Sequence, residues 1–347
     1  MKKVTAALLL SIALVSCKKE TKTITKTDPK TGKTITVEVP AEEEKTVPLA
    51  VKDSAGIYKV NFVLEKGKTY PFTSYQRDIQ TLSNGQQTIN GTNESTDEMN
   101  FTVENIDADG NYILKMQVKG KRMSTSSQGK IVTVDTRESA PGDAQQKFMW
   151  TVQKAQTQSP LSLKMSPAGK IISITGFEET YKKVEAAAAP IIKDKAQTTS
   201  FMDGFKQGFN EKFLKEQFGK NINILPIKGV KIGQSWTNTE NVTPNGSVKI
   251  STTYTLKKVE DGIAEISIKG GIPRKANNQS KDGLTHSISL EGSQTGTIIL
   301  DASTGWILGS KLQLKTIEKE SLTDGKQSQT MSKKTNSLVT INPSYKF

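Results

Sequence analysis

Cysteine occurs once in the 347 residues, as Cys17, and histidine once, as His286. A lone cysteine excludes a disulfide within the chain, whatever the redox compartment. A lone histidine excludes the convergent imidazoles of most zinc sites and acid–base pairs. His286 lies in the polar run "LTHSISLEG", where it reads as a strand-surface residue. Arginine is scarce too, with only Arg77, Arg122, Arg137 and Arg274 among the 48 basic residues. Lysine is the more hydrated and less geometrically specific cation, and no element concentrates arginine with aromatics, so a nucleic-acid partner is not expected. The formal charge of +13 instead describes a solvated basic surface suited to anionic lipid or glycan. There is no Gly-x-Ser-x-Gly elbow, phosphate-cradling glycine loop or dinucleotide fingerprint. The run "DADGN", Asp107 to Asn111, places its glycine too early for a calcium loop and lacks the distal glutamate, so it reads as a hairpin turn. No metal and no cofactor are expected. Beyond the first 16 residues no apolar run approaches the roughly 20 residues of a spanning helix.

What is present starts with Met1-Lys2-Lys3 and the uncharged apolar segment Val4–Val15. That segment has the length of a signal-peptide core and is too short to span a bilayer. Leu14-Val15-Ser16-Cys17 resembles the lipobox of bacterial lipoproteins. The resemblance implies that residues 1–16 are removed as a signal peptide and that Cys17 carries diacylglycerol, its new amine being acylated as well. Each buried methylene contributes about 0.8 kcal/mol, so two or three chains make a lasting anchor where one is marginal. The membrane is then a partner through the N-terminal lipid. Loss of Lys2 and Lys3 with no acid lowers the charge from +13 to +11. Lys18-Lys19-Glu20 follows, with no aspartate beside the cysteine. By similarity to lipoprotein sorting this implies the outer membrane, with the leaflet left open.

Residues 17–56 are rich in Thr, Lys and Glu and poor in large apolar residues, the composition of an anchor and linker. Within them Thr, Ile and Val alternate around Asp28-Pro29-Lys30-Thr31-Gly32, a turn that closes a small hairpin. From Ile57 onward the dominant period is two, interrupted by Gly-bearing turns. Met99–Gly120 reads as two strands joined at Asp109-Gly110-Asn111, and Ser251–Gly270 as two joined at Asp261-Gly262. "LSLKMSPAGKIISITG", from Leu161, parallels "TIILDASTGWILGSKL", from Thr297. The expected fold is mainly β. Two tandem antiparallel repeats, residues 57–176 and 223–347, form curved sheets or half-barrels around a helical connector at 177–222.

In that connector Pro190 should break or kink the helix. After it Phe201, Phe205, Phe209 and Phe213 recur every fourth residue, with Met202, Leu214 and Phe218 beside them, as on one amphipathic helix. This face either packs on its own sheet or binds a lipid or a partner. Gly204 and Gly208 interrupt the stripe, which predicts close contact with a sheet or a mobile lid. Trp236 and Trp306 follow Gly-bearing turns and are either core plugs or anchors for a sugar or lipid. Asp135, Glu178, Glu179 and Asp301 are the acids from which a glycosidase pair would have to be drawn, and nothing in their spacing favours one.

Two further runs, "NILPIKGVKIGQSWTNT" (Asn223 to Thr239) and "LKMSPAGKIISITGFEE" (Leu163 to Glu179), resemble an uncharacterised family of Gram-negative lipoproteins, a domain of unknown function. The likeness covers about residues 58–341 and carries over no functional residue. At the level of fold alone, a lipobox, curved antiparallel sheet and covering helix are similar to half-barrel carriers of lipoproteins and lipids, in which a concave apolar face holds acyl chains. The expected function is a non-enzymatic, outer-membrane-tethered module that binds or scaffolds a hydrophobic ligand, a glycan or an envelope protein. The alternative is an envelope hydrolase acting on glycan or lipid through a carboxylate pair.

Overall fold

The computed structural model describes residues 21–27, 34–40, 50–222, 224–226, 228–241, 248–281 and 283–346. Cys17, the signal segment and residues 18–20, 28–33 and 41–49 of the linker lie outside the described residues. The chain divides into Met1–Val47 and Pro48–Phe347. In the first unit β1 (Thr21–Thr27) and β2 (Thr34–Pro40) pair antiparallel, Thr21 opposite Pro40 and Thr27 opposite Thr34. This is the hairpin that the Thr/Ile/Val alternation predicts.

The second unit opens with a short hairpin, β3 (Val51–Ser54) and β4 (Ile57–Val60). The long strands β5 (Thr69–Ser83), β6 (Thr88–Ile106) and β7 (Tyr112–Ser127) follow, then β8 (Lys130–Asp135), α1 (Ala144–Thr157), β9 (Leu161–Met165) and β10 (Ile171–Thr175). Three helices come next: α2 (Phe177–Ala188), α3 (Lys195–Gly208) and α4 (Glu211–Ile222). The chain ends in β11 (Ser235–Asn241), β12 (Lys249–Glu260), β13 (Ile263–Lys281), β14 (Leu284–Asp301), β15 (Ile307–Thr323) and β16 (Ser328–Ile341).

Instead of two separate sheets, these strands form one antiparallel sheet of 12, ordered β10-β9-β7-β6-β5-β16-β15-β14-β13-β12-β11, with β8 also on β7. The seam is β5 against β16, Ser74 opposite Ile341 through Ser83 opposite Ser332. The sheet is not closed: β10 and β11 are its ends. β8 and β9 both lie along β7, just as the single strand β14 lies along β13. α1 fills the gap between β8 and β9, in a region expected to be all strand. Asp143 caps it, accepting the Gln146 amide at 2.9 Å, and its apolar stripe is short, Phe148, Val152 and Ala155 within a run of polar residues.

One face of the sheet carries the core. Met99, Phe101 and Val103 on β6 alternate inward, as do Tyr112, Leu114, Met116 and Val118 on β7. Leu256, Ile266, Ile268, Ile298 and Leu300 continue the layer across the second half. Phe101 packs edge-on to Phe72 and Phe218 at 6.0 and 5.5 Å between ring centroids, and against tilted Trp306 at 5.4 Å. Beyond this core the hairpins β5–β6, β7–β8, β13–β14 and β15–β16 project from one end of the sheet, and there Leu82, Ile89, Ile131, Ile288, Leu322 and Met331 are exposed. Elsewhere the outer faces of the strands are held by hydroxyl pairs such as Thr69–Thr102 at 2.8 Å and Ser235–Thr255 at 2.7 Å.

The β6–β7 turn is the Asp107–Asn111 hairpin read from the sequence. Asp107 accepts the amides of Asp109 and Asn111 at 3.0 and 2.8 Å and pairs with Lys164 at 2.8 Å. These contacts, the Lys164 ammonium foremost, lower its pKa from 3.8 to about 2. A depressed carboxylate stabilises the folded turn above its unfolded pKa, and the contribution disappears as pH falls through the folded value. The protection factors of the Asp109 and Asn111 amides, their exchange rates taken relative to the intrinsic rate at each pH, should therefore fall between about pH 4 and pH 2 and stay constant in Asp107→Asn. Equal acid sensitivity in the variant would remove Asp107 as the cause.

Candidate functional site

A cavity of about 440 Å³ lies between the first half of the sheet and the helices. Its floor is Met99 of β6 with Met116 and Val118 of β7. Its roof is Gly204, Phe205 and Gly208 of α3, with Phe209 beyond, and α4 contributes Phe213, Leu214, Gln217 and Phe218. Gln153 and Gln156 of α1 form a side. Methionine and phenylalanine are well suited to an adaptable apolar surface, because thioethers and rings tolerate many shapes of neighbour.

Two local features of the chain make this space. The first is a bulge: Met99 pairs with Val118 but Glu98 pairs with Gly120, so Lys119 is an extra residue in β7. The bulge changes the phase of the strand and puts Lys121 on the same face as Val118. Lys121 then stands opposite Asp97 and pairs with it at 2.7 Å, both side chains partly buried at 19% and 31% exposure. The second is the pair of helix glycines. A Cβ at Gly204 or Gly208 would meet nothing within 4 Å. Of the two alternatives the sequence offered, close contact with a sheet or a mobile lid, the first does not hold: both glycines are exposed and line the space without seating the helix on the sheet.

The expected single stripe of phenylalanines is divided. α3 ends at Gly208 with Phe209 in a non-helical conformation, and Asn210 caps α4 by accepting the Phe213 amide at 2.9 Å. A four-residue spacing continues through such a break unchanged, which is why it read as one helix. Phe201 packs on Phe148 at 5.3 Å and belongs to a small cluster joining α1, α2 and α3. Phe205 and Phe209 line the cavity and touch each other at 5.6 Å. The Phe209 carbonyl accepts the Tyr181 hydroxyl at 2.8 Å. Phe213 stands at the mouth, 47% exposed, and Phe218 is core.

Trp306 is a core plug. It is buried among Phe62, Tyr70 and Phe101 and donates its indole N–H to the Pro71 carbonyl at 2.9 Å. Trp236, on end strand β11, stacks on Tyr254 at 5.5 Å, and its buried indole nitrogen has no hydrogen-bond partner. Neither reaches the cavity. The four acids lie on three elements, Asp135 at the end of β8, Glu178 and Glu179 on α2, and Asp301 at the end of β14. Asp135 ends β8 and is gripped by Arg137 at 2.6 Å, which holds its carboxyl below the usual range. Asp301 caps the β14–β15 turn through the Ser303 amide at 2.8 Å. Glu179 pairs along α2 with Lys183 at 2.9 Å, with Glu178 beside it in the first turn of that helix. His286 meets Glu320 at 2.6 Å on the projecting hairpins. Among the described residues no cluster of three or more His, Cys, Asp or Glu could hold a metal, and no helix is long and apolar enough to cross a membrane.

Met99, Met116, Val118, Lys121, Asp97 and Gln153 were not singled out from the sequence. Period two marks the inward residues of β6 and β7, but no local signal tells which of them face a void rather than packed side chains.

The chain belongs to a family of unknown function, DUF6263, which matches residues 109–307, more than half of its length. No curated protein matches it. Among solved structures it is similar to lipovitellin, described for lipid–protein interactions, at 11% identity and a TM-score of 0.36 over 79% of this chain; the chain spans 25% of that one. It is also similar to an outer membrane channel from Pseudomonas putida F1, at 6% identity and a TM-score of 0.19, covering 81% of this chain and 97% of the channel. At these scores neither likeness assigns a fold or a function.

Proposed function

We propose that this DUF6263 member is a non-enzymatic lipoprotein, tethered to the outer membrane through Cys17, that binds a hydrophobic ligand. The cavity beneath α3 and α4 carries the proposal. Its volume lies in the ~300–1,000 Å³ range of small-molecule sites, and its lining is mostly apolar with a few placed polar groups. The sequence parallels between residues 57–176 and 223–347, and the matching places of β8–β9 and β14 in the sheet, support an origin by tandem duplication. In that case α1 and the cavity beside it are additions to the first copy. The basic surface and the 17–56 linker suit a domain held near an anionic envelope.

The test uses the two helix glycines. Gly208→Leu places a side chain in open space and also removes a poor helix former. The full chain carrying Cys17→Ser, so that no attached lipid competes, is titrated with the neutral dye Nile red. Gly208→Leu should weaken binding at least tenfold while Tm is unchanged or slightly raised. Undiminished dye binding in a folded Gly208→Leu protein would refute the cavity as the ligand site. For the tether, Cys17→Ser should move the protein from the membrane to the soluble fraction, and unchanged fractionation would refute it.

A further inference from the structure

We infer that α3 is a hinged cover, which lifts as a unit to admit the ligand while α4 stays fixed to the sheet. This deepens the preceding reading and rests on it. The two roofing helices are held in different ways. α4 is built into the main core through Leu214, Phe218 and Ile222. It is also fastened to β10, the end strand of the sheet. The Lys215 ammonium donates to the Ile172 carbonyl at 2.7 Å, the Ile174 amide donates to Glu211 at 3.3 Å, and Glu211 and Lys215 pair at 2.8 Å. Departure of α4 would strip these partners from backbone groups at a sheet edge and open the core as well.

In α3, by contrast, Met202 is the one buried residue of 14. It belongs to a small cluster apart from the main core, with Ala155 of α1 and Val184 of α2, flanked by Phe201 and Phe205. The rest of its hold is ring contact: Phe148 against Phe201 at 5.3 Å, and Tyr181 edge-on to Phe205 at 6.2 Å. A segment with so few buried apolar side chains opens at a lower free energy than the whole domain. The chain is non-helical on both sides of α3, at 189–194 around Pro190 and at Phe209 and Asn210, where backbone rotation breaks no helical ladder. Gly204 and Gly208, poor helix formers over the cavity, further ease the lifting of that turn. One hydrogen bond bridges α2 to the second hinge, from the Tyr181 hydroxyl to the Phe209 carbonyl at 2.8 Å. Tyr181 is therefore the latch that holds the cover down.

Two measurements on the full Cys17→Ser chain test this. In native-state hydrogen exchange at low urea, the amides of α3 should be at least tenfold less protected than those of α4 and less sensitive to urea, because lifting one helix exposes little surface. In stopped-flow mixing with Nile red, Tyr181→Phe should raise the association and dissociation rate constants together, about three- to tenfold, with Kd nearly unchanged, since the lost bond is absent from the bound and free closed forms alike. A tyrosine that only supports the fold would lower Tm and leave both rates as they were. Equal protection and equal urea dependence of α3 and α4 would overturn the cover, and unchanged rates in Tyr181→Phe would overturn it as the way in. If Nile red binds the parent no better than Gly208→Leu, the failure lies in the ligand site itself, and the exchange measurement still decides whether α3 opens alone.

Discussion

Phe101→Ala is expected to lower the free energy of unfolding by about 3–5 kcal/mol, enough to remove much of the stability of an ordinary domain. Phe101 is fully buried and is the one ring in contact with Phe72, Phe218 and Trp306 together. Those partners come from β5, from α4 and from the turn before β15. Truncation leaves a cavity that none of them can fill alone, because each is fixed elsewhere: Trp306 by its bond to Pro71, Phe218 by Phe72 at 5.6 Å. Urea unfolding followed by tryptophan fluorescence measures the effect as a lower midpoint with an unchanged slope. Phe213→Ala is the control, since that ring is half in solvent, and a shift below about 1 kcal/mol is expected. Equal effects at the two positions would show that the centre of the core lies elsewhere.

Gly270→Val should destabilise by a similar amount for a different reason. Gly270 lies on β13 between Thr252 of β12 and Gln294 of β14. A Cβ there would run into the carbonyl oxygen of Ser251. The missing side chain also lets buried Gln294 reach over the strand to donate to the Thr252 hydroxyl. Valine adds an overpacking penalty of about 1–3 kcal/mol and strands a buried amide for about 1–3 kcal/mol more. Gly204→Ala, where nothing stands within 4 Å, should instead be neutral or gain up to about 1 kcal/mol of helix propensity. A Gly270→Val protein that unfolds at the parental urea concentration would show that β12 and β13 can separate freely, contrary to the geometry described.

Much of the β architecture is legible locally. The turns at Asp109-Gly110-Asn111 and Asp261-Gly262 stand where β6–β7 and β12–β13 reverse, and Pro190 follows the end of α2. The seam is not legible, because pairing of Ser74 with Ile341 depends on no local signal. Nor is the length of the strands. Past Phe72 the inward positions of β5 are Ser74, Gln76, Asp78 and Gln80, so the hydrophobic alternation stops although the ladder runs on to Ser83. The site was half legible. The phenylalanine spacing pointed to the right helices, and Phe205 and Phe209 do line the cavity, but Gln153 sits on a short helix inside a region read as all strand, and Lys121 faces inward only because of an extra residue at position 119.

The seam also governs the order of events during synthesis. The Thr73 amide donates to the Asn342 side chain at 2.8 Å across 269 positions of sequence. At ribosomal speeds of about 5–20 residues per second, β5 emerges roughly 13–54 seconds before its neighbour exists. For that interval the nascent first half carries a long, open ladder of amides and carbonyls, a template for pairing with the wrong chain. On the reading that the chain is exported, escorts that keep this half apart from other chains would matter most until the last strand has crossed the inner membrane and can pair with β5.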